Sequence, residues 1–156
     1  MPTILSTTGI LLMVDDCDYE WISKYTWHVC GGYARRNAKI NGVAQKVYMH
    51  REIMETPKGK EVDHIDGNPF NNQRINLRNC SHAENLHNQR KTKHPRTSLY
   101  KGVSATLTKK WEVYISINGA QQRLGTFETE ILAAIAYNSK AQELFGEFAC
   151  LNTIMP

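Results

Sequence analysis

The sequence lacks what would mark a disulfide scaffold, a zinc ribbon or a membrane segment. It holds only four cysteines, at positions 17, 30, 80 and 150. No two form a Cys-x-x-Cys pair, which argues against a tetrathiolate zinc site. A chain of 156 residues can build an ordinary core, so no disulfide framework is needed and reduced thiols in a cytoplasmic compartment are expected. No apolar run approaches the roughly 20 residues of a membrane span. Ile10–Val14 is the strongest short run; it follows no basic segment and does not read as a secretory signal. Charge of one sign is also scarce, with 19 Lys+Arg against 15 Asp+Glu and a net +4. That excess suggests a polyanion without naming one.

What is present is a folded composition, 41% apolar and 22% charged, at a length that suits one ordinary domain or two small ones. The charge is unevenly placed. Residues 1–50 carry a net +1, residues 51–98 a net +3 and residues 99–156 a net of 0. Inside the middle third, His87 to Ser98 holds Arg90, Lys91, Lys93 and Arg96, no acid, and Pro95. This stretch reads as a basic linker, residues 91–98, suited to tracking phosphates between two folded parts.

The N-terminal part reads as short strands around one helix. Ile10–Val14 is extended, Asp15-Asp16 turns, and Tyr19–Tyr25 is helical. Trp27–Val29 is extended, Gly31-Gly32 breaks it, and Asn41-Gly42 marks a hairpin between Ala38–Ile40 and Val43–Met49. Trp21, Tyr25 and Trp27 are expected in the core.

The chemistry lies in residues 61–90. Glu61–Ile65 reads as a strand, Asp66–Pro69 as a turn and Ile75–Arg78 as a second strand. Ser81-His-Ala-Glu84 has the capping-box spacing, which predicts a helix over 82–90. Asp63 offers hard oxygen and His64 a base of near-neutral pKa. Asn76 follows, and Asn85 in the first helical turn can project back toward the first strand. An aspartate and an asparagine supply two oxygen ligands with little protein charge, a set suited to a divalent ion such as Mg²⁺.

This segment, over roughly residues 45–90, resembles the HNH nuclease family with its ββα-metal fold. The matching residues are Asp63-His64, Asn76 and Asn85, with Asp66-Gly67-Asn68, Asn71-Asn72 and Asn76-Leu77-Arg78 between, and His50-Arg51 upstream. The resemblance implies that His64 is the general base and that Asp63 and Asn85 hold one divalent metal, Mg²⁺ or Mn²⁺. Asn76 would orient the loop or the His64 ring. His50 and Arg51 would contact phosphate, or else cap and pack. The second ligand is Asn85 rather than histidine, as in the family's HNN variants. A His82/His87 zinc pair is the competing arrangement, but its five-residue spacing suits one helix face poorly.

Residues 99–152 change texture. Tyr100–Thr106 looks extended, Lys109-Lys110 turns, and Trp111–Ile117 alternates, with Trp111, Val113, Ile115 and Ile117 on one face. Asn118-Gly119 is a hairpin turn before Gln121–Phe127. Glu130–Leu144 is helical, with Thr129 as N-cap and Gly146 as stop, and Ala133, Ala136, Tyr137, Ala141 and Leu144 share a face.

The segment resembles the APETALA2-type DNA-binding domain through Tyr100-Lys101-Gly102-Val103, Trp111, Leu124–Phe127, Ala133-Ala134, Ala136-Tyr137 and Leu151-Asn152. The resemblance implies that the sheet's solvent face enters the major groove through Lys101, Ser104, Thr106, Tyr114, Ser116 and Arg123. Plant members carry arginine where this chain has Ser104, Thr106 and Ser116, and tryptophan where it has Arg123, so a different base sequence would be read.

The expectation is an α+β chain with a nuclease part at 1–90, the linker at 91–98 and a DNA-binding part at 99–156. The pairing resembles free-standing, homing-type phage endonucleases. It implies a monomeric enzyme acting on double-stranded DNA in the cytoplasm of a bacterial or phage-infected cell. The competing classes are a catalytically silent DNA-binding regulator and a structural interaction protein.

Overall fold

The computed structural model describes residues 2–90 and 97–154, so most of the expected linker, residues 91–96 with Lys91, Lys93 and Arg96, lies outside the described residues. The chain divides into two compact units, residues 1–85 and 86–156. It is a mixed α/β protein of small antiparallel sheets and few helices. No helix among the described residues is long and apolar enough to cross a membrane.

In the first unit β1 (Thr3–Leu5) pairs antiparallel with β2 (Leu11–Met13), and α1 (Asp16–Ile22) follows. The helix starts three residues before the expected Tyr19. Asp15 is extended at its N-cap, and Asp16 and Asp18 put acid in the first turn, where the helix dipole favours it. A three-stranded sheet then orders β3 (His28–Cys30), β4 (Tyr33–Ile40) and β5 (Val43–Tyr48). Its second hairpin turns on Asn41 and Gly42, both with positive φ (49° and 80°), as a primed two-residue turn requires. The expected strand to Met49 stops at Tyr48, because Met49 begins α2 (Met49–Ile53) and buries its side chain.

The core gathers Leu12, Val14, Ile22, Trp27, Ala34, Met49 and Ile53, joined by Val62 and Leu77 from the next strands. Trp27 is buried and its Nε1 donates to the Ile22 carbonyl. Trp21 packs partly buried at the core's edge. Tyr25, expected inside, is exposed and carries the Arg36 guanidinium 3.9 Å above its ring.

The segment that follows is a two-stranded antiparallel pair, β6 (Glu61–His64) and β7 (Leu77–Cys80), and then α3 (His82–His87). The return strand begins at Leu77 rather than Ile75, because a 3₁₀ turn occupies Arg74–Asn76 and leaves Ile75 in solvent. Two strands alone are marginal, and the pair is clamped from outside. Asp15 accepts from the Arg74 backbone N–H (2.7 Å) and from Gln73 Nε2 (3.1 Å). Asp18, 1% exposed, takes both Arg74 Nε (2.7 Å) and Nη2 (2.8 Å), and also Trp21 Nε1. Met13 adds backbone bonds to Phe70 and Asn72.

The second unit orders its sheet β10-β9-β8, built from β8 (Val103–Ala105), β9 (Trp111–Ile117) and β10 (Ala120–Phe127), with α4 (Glu130–Phe145) packed on one face. Thr129 Oγ1 caps α4 by accepting from Leu132 N–H, and Gly146 ends it at φ 53°. Val103, Val113 and Ile115 meet Ala133, Ala134, Tyr137 and Ala141 in the core. Ala134 therefore joins the buried stripe, while Leu144, expected there, is exposed. Gly102 explains a residue of the strand motif. It sits at φ +75°, and a Cβ there would lie 2.1 Å from Tyr137 Cδ2 and 2.6 Å from the Tyr114 carbonyl.

Gly102→Ala is expected to destabilise the second unit by about 2–4 kcal/mol, from strain and overpacking together. Urea melts should show this loss with the first unit's transition unmoved. A second expectation concerns acid. Burial pushes the Asp18 pKa up, but hydrogen bonds from Arg74 and Trp21 outweigh it and hold it below 3.8. Its stabilisation is therefore present above pH about 4 and is lost as pH falls through the lowered pKa. Asp18→Asn should cost on the order of 1–3 kcal/mol at pH 7, and melts taken down to pH about 2 should show the gap from wild type closing.

Candidate active site

Strand alternation gives β6 two sides. Val62 and His64 share one side with their cross-strand partners Asn79, which is exposed, and Leu77, which joins Val62 in the core, while Glu61 and Asp63 share the other side with Cys80 and Arg78. The helix α3 returns over that second side. The capping box forms as the spacing predicts, with Ser81 N–H donating to Glu84 Oε2 (2.7 Å) and Glu84 N–H to Ser81 Oγ (3.2 Å).

Asn85 does project back to the strand, but its Nδ2 donates to Glu61 Oε2 (2.7 Å). Glu61 also receives the His82 ring at 2.8 Å. The Asn85 bond, then that of His82, holds Glu61 below the usual carboxylate range. Sequence reasoning missed Glu61; its place two residues before Asp63, on the same strand side, was the available signal. Asp63 is buried, and its Oδ2 accepts from Arg78 Nε (2.9 Å) and Nη2 (2.6 Å) across the register pair.

Around this strand the donor chemistry fits a hard cation. Carboxylate oxygens of Asp63 and Glu61 share one side of β6, and a carboxamide folds onto it from α3. Arg78 already neutralises Asp63, so an ion bound there must share that carboxylate or displace the guanidinium. The His82 ring lies on Glu61, and the His87 ring stacks on Phe145 with centroids 3.8 Å apart.

His64 is 7% exposed. Its ring lies 5.2 Å from that of His50 and 6.1 Å from that of Tyr33. Burial is the largest influence and lowers its pKa below 6.5; Asn72, Asp66 and Asp63 pull the other way. His64 is therefore neutral at neutral pH, the form in which an imidazole can accept a proton. His50 is held more firmly neutral: burial, then the neighbouring His64 and Arg51, lower its pKa to about 3.

Asn76 is buried and closes the loop after His64. Its Oδ1 accepts from Asp66 N–H (2.9 Å), and its Nδ2 donates to Asp66 Oδ1 (2.9 Å) and the Asn71 carbonyl (2.8 Å). Of the two partners expected for it, Asn76 bonds to the loop. Asp66 in turn accepts from Asn68 N–H and Asn71 Nδ2.

Other expected residues sit elsewhere. His50 was expected at phosphate; its ring is 7% exposed, with Nδ1 lacking a hydrogen-bond partner among the described residues, and it packs between Tyr33, Tyr48 and His64. Arg51 donates Nη1 to the Lys60 carbonyl at 3.0 Å, the capping alternative.

In the second unit Tyr114, Ser116 and Arg123 do share the sheet face opposite the core, as register dictates. Arg123 Nη2 is tied there to Glu112 Oε1 (3.0 Å), and the Tyr114 hydroxyl donates to Glu112 Oε2 (3.4 Å). Ser104 is exposed. Thr106 secures the following turn, its Oγ1 accepting from Lys110 N–H. Lys101 is withdrawn, its Nζ donating to the carbonyls of His87 (2.8 Å) and Gln89 (2.6 Å), and burial lowers its pKa.

Similarity to known proteins agrees with the placement of this site. The HNH endonuclease family pattern matches residues 48–87, from the end of β5 to the end of α3. An uncharacterized HNH endonuclease of Acanthamoeba polyphaga mimivirus is 32% identical over 139 residues, covering 85% of this chain and 70% of that protein. Protein 3.8 of Escherichia phage T7 is 36% identical over 94 residues, covering 60% of this chain and 76% of that one. No solved structure matches the chain. With the Asp63-His64 strand, the capped helix and a relative aligned over most of both chains, the protein belongs to the HNH endonuclease family.

Proposed function

We propose that β6, β7 and α3 form a ββα-metal catalytic unit that hydrolyses phosphodiester bonds of double-stranded DNA. The observation that carries this reading is local. Asp63 and His64 close one strand, and a capped helix folds Asn85 back onto the same strand. In this reading Asp63 and Asn85 hold one divalent ion, Mg²⁺ or Mn²⁺. When bound, that ion supplies charge neutralisation at the scissile phosphate and the leaving oxygen.

The chain's own residues do the rest. Neutral His64 accepts a proton from the attacking water at a ring nitrogen; general bases so placed contribute on the order of 10²–10⁴ in rate. Asn76 keeps the 65–72 loop folded and thereby fixes where β6 ends. His50, uncharged and packed edge-on, limits the ring orientations open to His64. Cleavage leaves 5′-phosphate and 3′-hydroxyl ends.

The second unit is in this reading the APETALA2-type, DNA-positioning part. Its three antiparallel strands on one helix support that, and a ribbon of this kind suits the major groove. Ser104, Tyr114, Ser116 and Arg123 are its reading residues. Arg123 exchanges Glu112 for a base edge on binding. Thr106 and Lys101 serve turn and backbone anchoring. The chain acts as a monomer with one active site.

His64→Ala should lower the rate of supercoiled-plasmid nicking in Mg²⁺ by about 10²-fold or more, and chelation of the ion should abolish wild-type nicking. Unchanged nicking by His64→Ala across varied plasmid sequences would remove His64 as the base.

A further inference from the structure

The outward side of the β3-β4-β5 sheet has no role in the catalytic reading, yet it leads to the imidazole pair. In the register, Tyr33, Arg35, Asn37 and Lys39 of β4 share one side with Lys46 and Tyr48 of β5. The other side holds Ala34, which joins the core, and Arg36, which is spoken for by Glu52 and Tyr25. Arg35, Lys39 and Lys46 have no ion-pair partner among the described residues, and no carboxylate lies on their side of the three strands.

The spacing is regular. Arg35 stands opposite Tyr48, Asn37 opposite Lys46 and Lys39 opposite Ala44. Lys46 is therefore diagonal to both Arg35 and Lys39, about 7–8 Å from each, and Arg35 and Lys39 are about 13 Å apart along the strand. The line of positive charge ends at the aromatic rings. Tyr48 packs 5.7 Å from His50, and Tyr33 packs 5.2 Å from His50 and 6.1 Å from His64.

We infer that this side of the β4–β5 ribbon is a phosphate-tracking surface for the duplex being cut, with Arg35, Lys39 and Lys46 contacting successive backbone phosphates. Three cations without acids, in a line that begins beside the proposed base, complement a polyanion running through the site. Two strands also match the width a groove admits. The surface adds non-specific grip within the catalytic unit itself, independent of the second unit's base reading. The inference rests on the assignment of His64 as the cutting centre only for its account of where the line leads.

The test is duplex binding by the full chain. Fluorescence anisotropy with a 30-base-pair duplex of arbitrary sequence, in EDTA to prevent cutting, is read across a salt series. Lys39→Gln with Lys46→Gln should weaken binding about 10–100-fold near 0.1 M salt, and lower the log–log salt slope by close to 2, at about 0.9 per phosphate lost. Adding Arg35→Gln should bring the reduction close to 3. Lys24→Gln with Lys58→Gln removes the same charge from exposed positions off the ribbon and should leave the slope unchanged. Equal losses in the control pair, or an unchanged slope in the ribbon pair with an unshifted melting curve, would overturn the inference. His64→Ala separates the two readings: it should bind with the wild-type slope, and normal cutting by it would end the catalytic assignment while leaving the ribbon standing.

Discussion

The site depends on one buried carboxamide. Asn76 sits at the point where the chain must return from β6 to β7, and its three hydrogen bonds satisfy Asp66 and Asn71 inside a loop rich in polar groups. A two-stranded pair of four residues per strand has little stability of its own. Its last residue is the proposed base, so the pair must be held from outside if His64 is to keep one position. Asn76 holds it from the loop. Asp15 and Asp18 hold it from α1 through Gln73 and Arg74, nearly sixty residues away in sequence. The first unit's early strands and helix are in this sense the mount for the short segment proposed to be catalytic.

The electrostatics follow from the same construction. Burial keeps His64 and His50 neutral, and the side of β6 facing away from them carries the carboxylates. Asp63 is not left bare: Arg78 lies directly across the ladder and neutralises it. A pair so little exposed, 12% and 5%, is costly to break from one side only. In the proposed reading, an ion at Asp63 competes with Arg78, and Asn85 and Glu61 supply further oxygen. The small overall charge of +4 also gains meaning. Part of it stands on the β4–β5 ribbon without an ion-pair partner among the described residues, on the strand side whose Tyr33 and Tyr48 pack against the imidazoles.

Much of this was legible in the residues. The capping box gave the start of α3, the Asn41-Gly42 and Asn118-Gly119 dipeptides gave their hairpins, and the Trp111–Ile117 alternation gave β9, because each signal is local. Thr129 and Gly146 bounded α4 for the same reason. The joint spacing of Asp63-His64, Asn76 and Asn85 pointed to the segment that the family pattern also matches. What was not legible depends on contacts distant in sequence. Nothing local shows that Asp18 reaches Arg74, that Tyr33 and Tyr48 wall the histidines, or that His50 is buried. Nor does spacing show that Arg78 lies across from Asp63, since the return strand begins only after the 3₁₀ turn at Arg74–Asn76. Lys101 misled for a similar reason: its charge reads as a DNA contact until carbonyls of the preceding segment are found to hold it.

The central claim is that Asp63 and Asn85 share an ion. Anomalous diffraction from crystals grown with Mn²⁺ tests it most directly. A single anomalous peak bonded to oxygens of Asp63 and Asn85, with Arg78 moved from Asp63 or sharing its carboxylate, is the result the account predicts. A peak held elsewhere, or density showing Arg78 still on Asp63 and Asn85 still on Glu61 at saturating Mn²⁺, would contradict it.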